Sequence, residues 1–154
     1  MGQRIWKTFS KYHYLDGKLS INSDCFVGVY NNKLISFCAV KQLPYFRGKK
    51  TIHRLVVLPQ FQGVGIGTKF LDEISKIYIK KNWEVHITTS NKGLIHSLKR
   101  NNHWKSLGTK LNSPVRGGQF RKRLKRTQFK GGTDLSNCFS RQISSFKTNK
   151  ELWS

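Results

Sequence analysis

The sequence predicts an α+β fold of the α/β type, in which helices flank a mixed, mostly antiparallel β-sheet. Three observations lead to this prediction. A β-hairpin pattern spans residues 25–40, a buried strand follows at 51–58, and an amphipathic helix with a further strand then completes a βαβ crossover. Because a crossover through a helix makes its two flanking strands parallel, we expect one parallel pair in an otherwise antiparallel sheet.

The N-terminal part of the chain predicts a helix followed by the hairpin. Residues 5–15 carry aromatic side chains at near-helical spacing, which indicates a short helix. The hairpin strands are expected over 25–30 and 34–40. Asn31 and Asn32 lie between them, and asparagine tolerates the positive φ that a tight turn requires.

The middle of the chain predicts alternating strands and helices. Residues 51–58 are largely apolar and rich in β-branched side chains, and Pro59 ends this strand. Residues 67–80 place an apolar stripe on one helical face and charged side chains on the other. The stripe consists of Phe70, Ile74, Ile77 and Tyr78. The remaining expected elements are a strand over 83–89, a helix over 94–101 and late strands over 104–111 and 120–129.

The length of 154 residues fits one domain. We expect residues 1–130 to form that domain and residues 131–154 to form a Ser- and Lys-rich tail, loosely docked or disordered. The first 14 residues lack the apolar block of a secretory signal, so a cytoplasmic location is expected. The three cysteines have no CxxC spacing and the histidines and carboxylates form no set with metal-ligand spacing, so we expect neither disulfides nor a metal site.

Positive charge dominates the sequence. There are 29 Lys and Arg residues against 7 Asp and Glu, and no acidic residue lies between Glu84 and Asp134. Such a field attracts polyanions such as nucleic acid. The alternative is a solvated face or a protected sheet edge, because lysines discourage edge-to-edge strand pairing. The candidate contacts with nucleic acid are Arg121, Lys122, Arg123, Lys125 and Arg126.

A glycine cluster at the junction of a strand and a helix is the motif that carries chemistry. Helix N-termini present unpaired N–H groups and a partial positive charge, and both favour phosphate. The spacing differs from the G-x-G-x-x-G of dinucleotide-binding folds, and the Lys-Ser/Thr of a P-loop is missing. The alternative is a glycine-rich turn without a ligand. The cluster consists of Gln62, Gly63, Val64, Gly65, Ile66, Gly67 and Thr68.

Residues 55–71, with the sequence LVVLPQFQGVGIGTKFL, resemble the acetyl-CoA-binding motif of the GNAT superfamily of N-acetyltransferases. The family pattern Gln/Arg-x-x-Gly-x-Gly/Ala is matched by Gln62, Gly65 and Gly67. The resemblance implies that acetyl-CoA is the cofactor. It also implies that the sheet is splayed between the strands at 51–58 and 83–89, with the pantetheine arm in the gap.

The resemblance further implies cofactor contacts outside the glycine cluster. The backbone of Val57 and Leu58 would pair with pantetheine and polarise the thioester, and Asn91 would contact the cofactor at the start of the next helix. Two features depart from the family. Residues 97–99 lack the Tyr that often protonates the departing thiolate, and the N-terminal region that normally forms the acceptor site is short.

His53 is the candidate general base, because an imidazole with an ordinary pKa of about 6.5 can accept a proton near neutral pH. The alternative is that it packs on the sheet or binds water. Arg54 is expected to point to the opposite face of the strand. Tyr12, His13 and Tyr14 are candidates for an acceptor-pocket wall, or otherwise for an aromatic face that covers the core. The histidines expected to be surface or structural residues are His86, His96 and His103.

The leading hypothesis is an acetyl-CoA-dependent N-acyltransferase that moves an acetyl group to a primary amine. The acceptor amine would belong to a protein or to an RNA-linked molecule such as aminoacyl-tRNA. The alternative is a non-catalytic nucleic-acid-binding protein on the same fold, which the charge and the missing Tyr suggest. Stabilisation by acetyl-CoA separates the two, because a ligand that binds only the native state raises its stability.

Overall fold

The computed structural model describes residues 2–13, 19–43, 45–111 and 142–153. Within these ranges, three helices flank one six-stranded sheet. The helices are α1 (Gly2–Ser10), α2 (Ile66–Ile79) and α3 (Lys92–Arg100). The strands are β1 (Ser23–Tyr30), β2 (Lys33–Gln42), β3 (Lys49–Val57), β4 (Glu84–Thr89), β5 (Trp104–Leu111) and β6 (Gln142–Thr148).

The spatial order of the strands is β1-β2-β3-β4-β6-β5. The β3–β4 pair is parallel, and every other neighbouring pair in this sheet is antiparallel. The predicted fold class is therefore confirmed. Asn31 and Asn32 take φ values of +47° and +58° in the β1–β2 turn, the left-handed geometry that the sequence predicted. The predicted strand over 120–129 lies outside the described residues.

The sheet buries an apolar cluster on each of its faces, as a layered fold requires. On one face, α2 and α3 cover residues that include Cys38 and Val40 of β2. On the other, α1 places Trp6 and Phe9 against a smaller cluster that includes Ala39 of β2. None of the helices within the described ranges has the length and apolar character needed to cross a membrane.

Two predicted helices differ from the observed ones in detail. The helix predicted over 5–15 ends at Ser10, and Tyr12 and His13 lie in the turn that follows it. The buried stripe of α2 includes Leu71, which the predicted stripe left out, while Ile77 of that stripe is 44% exposed. The tertiary contacts of α2 therefore rotate the buried face slightly relative to the pattern read from the sequence.

The parallel ladder between β3 and β4 is short. It pairs only Lys49–Thr51 of β3 with Glu84–His86 of β4, although both strands continue further. The two strands separate beyond this ladder, so the predicted splay of the sheet is confirmed. The open edge of β3 in the gap is where the candidate site lies.

The C-terminal segment differs from the expected tail over its described part. Residues 142–148 form β6, which pairs with β4 on one side and β5 on the other. Ser144, Phe146 and Thr148 are all buried, at strict two-residue spacing. Two of these three buried residues are polar, so the alternation does not register as a hydrophobic pattern. For these residues, the expectation of a loosely docked or disordered tail is wrong.

The buried hydroxyl groups of β6 are hydrogen-bonded, as burial of polar groups requires. The Thr148 Oγ1 accepts a hydrogen bond from the Val85 backbone N–H at 3.1 Å. The Ser144 Oγ lies 2.9 Å from the Thr109 Oγ1 on β5. These bonds fix β6 to both of its neighbouring strands.

Replacing Phe146 by Ala should reduce the free energy of unfolding by about 3–5 kcal/mol, because it removes a fully buried aromatic ring and leaves a cavity. Urea unfolding followed by circular dichroism measures this change. Leu152→Ala is the matched control from the same segment. Its side chain is 49% exposed, so its effect should stay within about 0.5 kcal/mol. Equal small effects of both substitutions would mean that β6 is peripheral to the core.

Candidate active site

A cavity of about 630 Å³ opens where β3 and β4 separate. Its walls come from the second half of β3, the end of β4, the loop before α2, the first two turns of α3 and the turn after α1. Parts of the chain that are distant in sequence therefore meet at this one opening. Both α2 and α3 begin at the cavity, so their positive N-terminal ends are directed to it.

The glycine cluster forms one wall of the cavity with a left-handed backbone. Gly63 and Gly65 both have φ of +83°, a conformation that L-residues with a side chain rarely adopt. A Cβ built on either glycine meets no atom within 4 Å, so the space in front of the loop is open. Gln62, Gly67 and Thr68 also line the cavity, whereas Val64 and Ile66 do not.

The N-terminus of α2 is left without a side-chain cap. Gly65 occupies the N-cap position and has no side chain to accept a hydrogen bond from the first turn. The contrast with α3 is direct, because the Asn91 Oδ1 accepts a hydrogen bond from the Leu94 N–H at 2.9 Å and caps that helix. The start of α2 is thus a stronger anion site than the start of α3. Asn91 does line the cavity, but its side-chain oxygen is committed to this cap.

The Gln62 side chain holds the loop against the end of β3. Its Nε2 donates a hydrogen bond to the Val57 carbonyl oxygen at 2.7 Å. The Leu58 N–H donates to the Ile35 carbonyl oxygen at 2.9 Å, and Leu58 does not line the cavity. Successive peptide groups of a strand point to opposite edges. Since the peptide N–H of Leu58 points to β2, the N–H of Val57 points into the gap.

A β-bulge in β3 places His53 at the cavity. Ala39 of β2 pairs with Arg54 and Val40 pairs with Ile52, so His53 is the extra residue without a cross-strand partner. Both His53 and Arg54 line the cavity. Residues from both faces of β3 line the cavity, so the expectation that Arg54 points away from the face of His53 stays a prediction, although the bulge interrupts the strict alternation of side chains here. Such bulges are common beside active sites.

The surroundings of His53 keep its imidazole neutral at physiological pH. Partial burial is the main cause that lowers its pKa, and the positive charges of Arg54, Lys41 and His13 lower it further, to about 4. A neutral imidazole can accept a proton through one ring nitrogen. His53 is therefore in the correct protonation state for a general base, although its basicity is lower than that of an ordinary histidine.

Two of the three residues predicted to form a wall of the acceptor pocket lie within the described structure. Tyr12 and His13 line the cavity on the α1 side, and the His13 ring packs edge-on against Trp6 with 5.6 Å between ring centroids. Tyr14 lies outside the described residues. The basic residues predicted to bind nucleic acid also lie outside them; these are Arg121, Lys122, Arg123, Lys125 and Arg126.

The structure adds cavity residues that the sequence analysis assigned to other roles. His96, which was expected to be surface or structural, lines the cavity together with Ser97 and Gly93. The spacing on α3 could have revealed them, because residues three and four positions after Gly93 share its helical face. Of the described residues that line the cavity, none is Asp or Glu.

The family assignment rests on the sequence. The profile described as the acetyltransferase (GNAT) family matches residues 3–102. The chain belongs to this family. The match contains the glycine cluster, the bulged strand β3 and both helices that begin at the cavity. None of the curated protein sequences matches the chain significantly.

Solved structures of GNAT acetyltransferases share the fold at low sequence identity. One, from Elizabethkingia anophelis with acetyl-CoA bound, is 15% identical, with a TM-score of 0.58 over 83% of this chain and 76% of that chain. An acetyltransferase from Bacillus subtilis in complex with CoA is 12% identical, with a TM-score of 0.58 over 83% of this chain and 77% of that chain. The ribosomal-protein-S18-alanine N-acetyltransferase from Escherichia coli is 13% identical, with a TM-score of 0.57 over 84% of this chain and 70% of that chain.

As a GNAT acetyltransferase, the protein is an acyltransferase that depends on acetyl-CoA, so the predicted enzyme class and cofactor are confirmed. The cavity fits this cofactor. Open space faces Gly63 and Gly65, and the first turn of α2 has no side-chain cap to compete with a phosphate for its N–H groups. The loop lies at one end of the gap between β3 and β4, which can admit an extended arm.

Gly65→Asp should abolish binding of acetyl-CoA, because it places a side chain and a negative charge in the space where the pyrophosphate is expected. In the parent protein, acetyl-CoA at 100 times its Kd adds about 2.7 kcal/mol of stability. This raises Tm by about 5–10 °C for a chain of this size, and differential scanning fluorimetry measures it.

Gly48→Asp is the matched control for this substitution. Gly48 also has a left-handed φ, +75°, with open space at its Cβ, but it does not line the cavity. Both variants carry a similar backbone strain, so their Tm values without ligand should fall alike. Only the Gly65 variant should lose its response to acetyl-CoA. A full response in that variant would contradict the assignment of the loop.

Proposed function

We propose that this protein transfers the acetyl group of acetyl-CoA to a primary amine. The observation that carries the proposal is one cavity with two chemically distinct ends. The uncapped N-terminus of α2 lies at the first end, and the bulged residue His53 lies in the wall on the α1 side. Acetyl-CoA supplies the activated acyl group. The protein binds and orients the two substrates and moves protons between them.

The backbone of β3 is proposed to polarise the reacting carbonyl group. The Val57 N–H points into the gap, and the hydrogen bond from Gln62 to the Val57 carbonyl holds the end of β3 against the loop. A fixed N–H donor stabilises negative charge that develops on an oxygen, and it needs no reorganisation during the reaction. Leu58 is left out of this role, because its N–H is bonded to the Ile35 carbonyl.

His53 is proposed to accept the proton of the attacking amine. Its pKa of about 4 keeps the imidazole neutral at pH 7, and Arg54 and Lys41 contribute positive charge around it. The same positive charges favour the neutral form of a bound amine, because they disfavour an ammonium group nearby. The site therefore favours the neutral amine before the reaction. His53 accepts the proton that this amine loses when it attacks.

Protonation of the departing thiolate is proposed to come from α3. The stretch that carries a Tyr in many members of the family reads Ser97-Leu98-Lys99 here. Leu98 is buried in the core, so it does not face the cavity. Ser97 and His96 do line the cavity, and either can donate a proton to sulfur.

The acceptor amine is proposed to belong to a protein or to an RNA-linked molecule such as aminoacyl-tRNA. Structures of two ribosomal-protein-alanine N-acetyltransferases are among the similar folds, which favours a protein amine. The net charge of +22 favours a partner that carries phosphate. We also propose a cytoplasmic location, where both kinds of acceptor are found.

His53→Gln should lower kcat by about 10²–10⁴-fold, the usual effect of losing a general base, without changing the affinity for acetyl-CoA. In the parent enzyme, kcat/KM should fall below about pH 4, because protonation of His53 removes the base. Above that pH, titration of His53 should add no further change. Steady-state kinetics from about pH 3 to 9 measure both effects, and the variant should lose the acid limb.

His96→Gln is the comparison for this prediction, because His96 lines the same cavity from α3. Its acid limb should match that of the parent enzyme. If His96→Gln abolished the acid limb while His53→Gln retained it, the role of the base would pass to His96. A loss below threefold in the His53 variant would leave this residue with a structural role alone.

The basic stretch over residues 116–130 is proposed to contact a polyanion. If it neutralises phosphates, the logarithm of RNA affinity should fall linearly with the logarithm of salt concentration, by about 0.7 per contact for a single strand. Neutral polar replacements should flatten that slope and preserve acetyl-CoA binding. A salt titration of RNA and DNA binding measures it, and equal slopes for both proteins would assign the charge to solubility. The replaced residues are Arg121, Lys122, Arg123, Lys125 and Arg126.

A further inference from the structure

Two isoleucines line the closed end of the cavity. The ladder between β3 and β4 ends at the pair of Thr51 and His86. Ile52 and Ile87 are the next residues on the two strands, and both line the cavity. Both belong to the apolar cluster that α2 and α3 cover, so their side chains lie on the same face of the sheet. The point at which the strands begin to separate therefore has an apolar floor.

The hydrophobic core supports this floor from both sides. Ile52 is 8% exposed and Ile87 is 3% exposed. The cross-strand partner of Ile52 is Val40 of β2, and that of Ile87 is Phe146 of β6; both partners are fully buried. Isoleucine is branched at Cβ and stiff at χ1, and a close-packed core leaves its side chains little room to move. The floor therefore cannot recede to admit a larger group without strain.

The glycine loop lies at the opposite end of the gap from the floor. A Cβ built on Gly67 would lie 3.6 Å from the Val57 Cγ2, so the start of α2 is close to the last residue of β3. The arm of CoA has about thirteen bonds between phosphorus and sulfur, which span about 16 Å at about 1.2 Å per bond of an extended chain. The acyl group is the tip of this arm. An arm that enters from the loop therefore directs its acyl group toward Ile52 and Ile87.

We propose that Ile52 and Ile87 determine which acyl group the donor carries, by admitting acetyl and rejecting longer groups such as butyryl. An apolar floor suits a methyl group. Further methylenes would have to displace packed side chains or turn toward the α1 side of the cavity, which Tyr12 and His13 line. The proposal concerns the donor, so it does not depend on which amine accepts the acetyl group.

A series of thioesters that differ only in the acyl chain tests this proposal. Isothermal titration calorimetry of the full chain gives the Kd of CoA, acetyl-CoA, propionyl-CoA and butyryl-CoA. Because no acceptor is present, binding is measured apart from turnover. We expect butyryl-CoA to bind at least about 10-fold more weakly than acetyl-CoA, the lower limit of what one methylene contributes in an apolar pocket. Equal Kd values for these two thioesters would overturn the proposal.

Ile87→Ala should bring the Kd of butyryl-CoA close to that of acetyl-CoA, because the shorter side chain leaves room for the longer acyl chain. Ile52→Ala should act in the same way. The Kd of CoA without an acyl group should stay the same in both variants, since the phosphate site lies at the other end of the gap. Ile87→Val removes a single methyl group and costs less stability. It should strengthen the binding of propionyl-CoA relative to acetyl-CoA, and it keeps the test open if the alanine variants do not fold.

Ile74→Ala is the matched control. Ile74 lies on α2 in the same apolar cluster and is 2% exposed, but it does not line the cavity. This variant should lose a similar amount of stability and keep the preference of the parent protein for acetyl-CoA. An equal loss of preference in Ile74→Ala and Ile87→Ala would overturn the proposal, because general loosening of the core would then explain both.

The remaining outcomes separate this proposal from the proposed function. A preference for acetyl-CoA that survived in both Ile87→Val and the alanine variants would overturn the role of the floor. A preference that these variants lost would support it, even if the parent protein acetylated no amine and the proposed acceptor were refuted. A parent protein that bound none of the four compounds would contradict the cofactor site and this proposal with it.

Discussion

The shortness of the ladder between β3 and β4 is the constraint on which the site depends. The two strands pair over only three residues each, and then each follows a different neighbour. From that point β3 stays with β2, and β4 stays with β6. A full parallel ladder would have consumed the Val57 N–H and closed the gap. The inserted strand β6, fixed by buried hydroxyl bonds, keeps β4 on its own side of the opening.

The two helices that begin at the cavity show how capping determines anion binding. Asn91 satisfies an N–H group at the start of α3, whereas Gly65 leaves the start of α2 without such a side chain. Both helices present a positive dipole end, but only α2 combines it with open space and a left-handed glycine loop. The side-chain bond from Gln62 to Val57 then links this loop to the strand whose backbone faces the gap.

The β-bulge at His53 connects the fold to the electrostatics of the cavity wall on the α1 side. His53 is the extra residue of the bulge, and it lines the same cavity as Arg54. Partial burial is the main cause that lowers the pKa of His53, and the positive charges of Arg54, Lys41 and His13 lower it further. One extra residue in β3 thus affects the positions of both the imidazole and the guanidinium at the cavity.

The sequence by itself determined the order of elements from α1 to β5, the Asn31–Asn32 turn and the glycine cluster before α2, because local periodicity and backbone preference encode these features. It also identified the family and its cofactor through the spacing of Gln62, Gly65 and Gly67. Only the tertiary structure decided the place of β6, whose buried serine and threonine hide its alternation, and the bulge at His53, which depends on the register with β2. Side chains from separate elements acquire their chemistry from such pairing, which no local pattern contains.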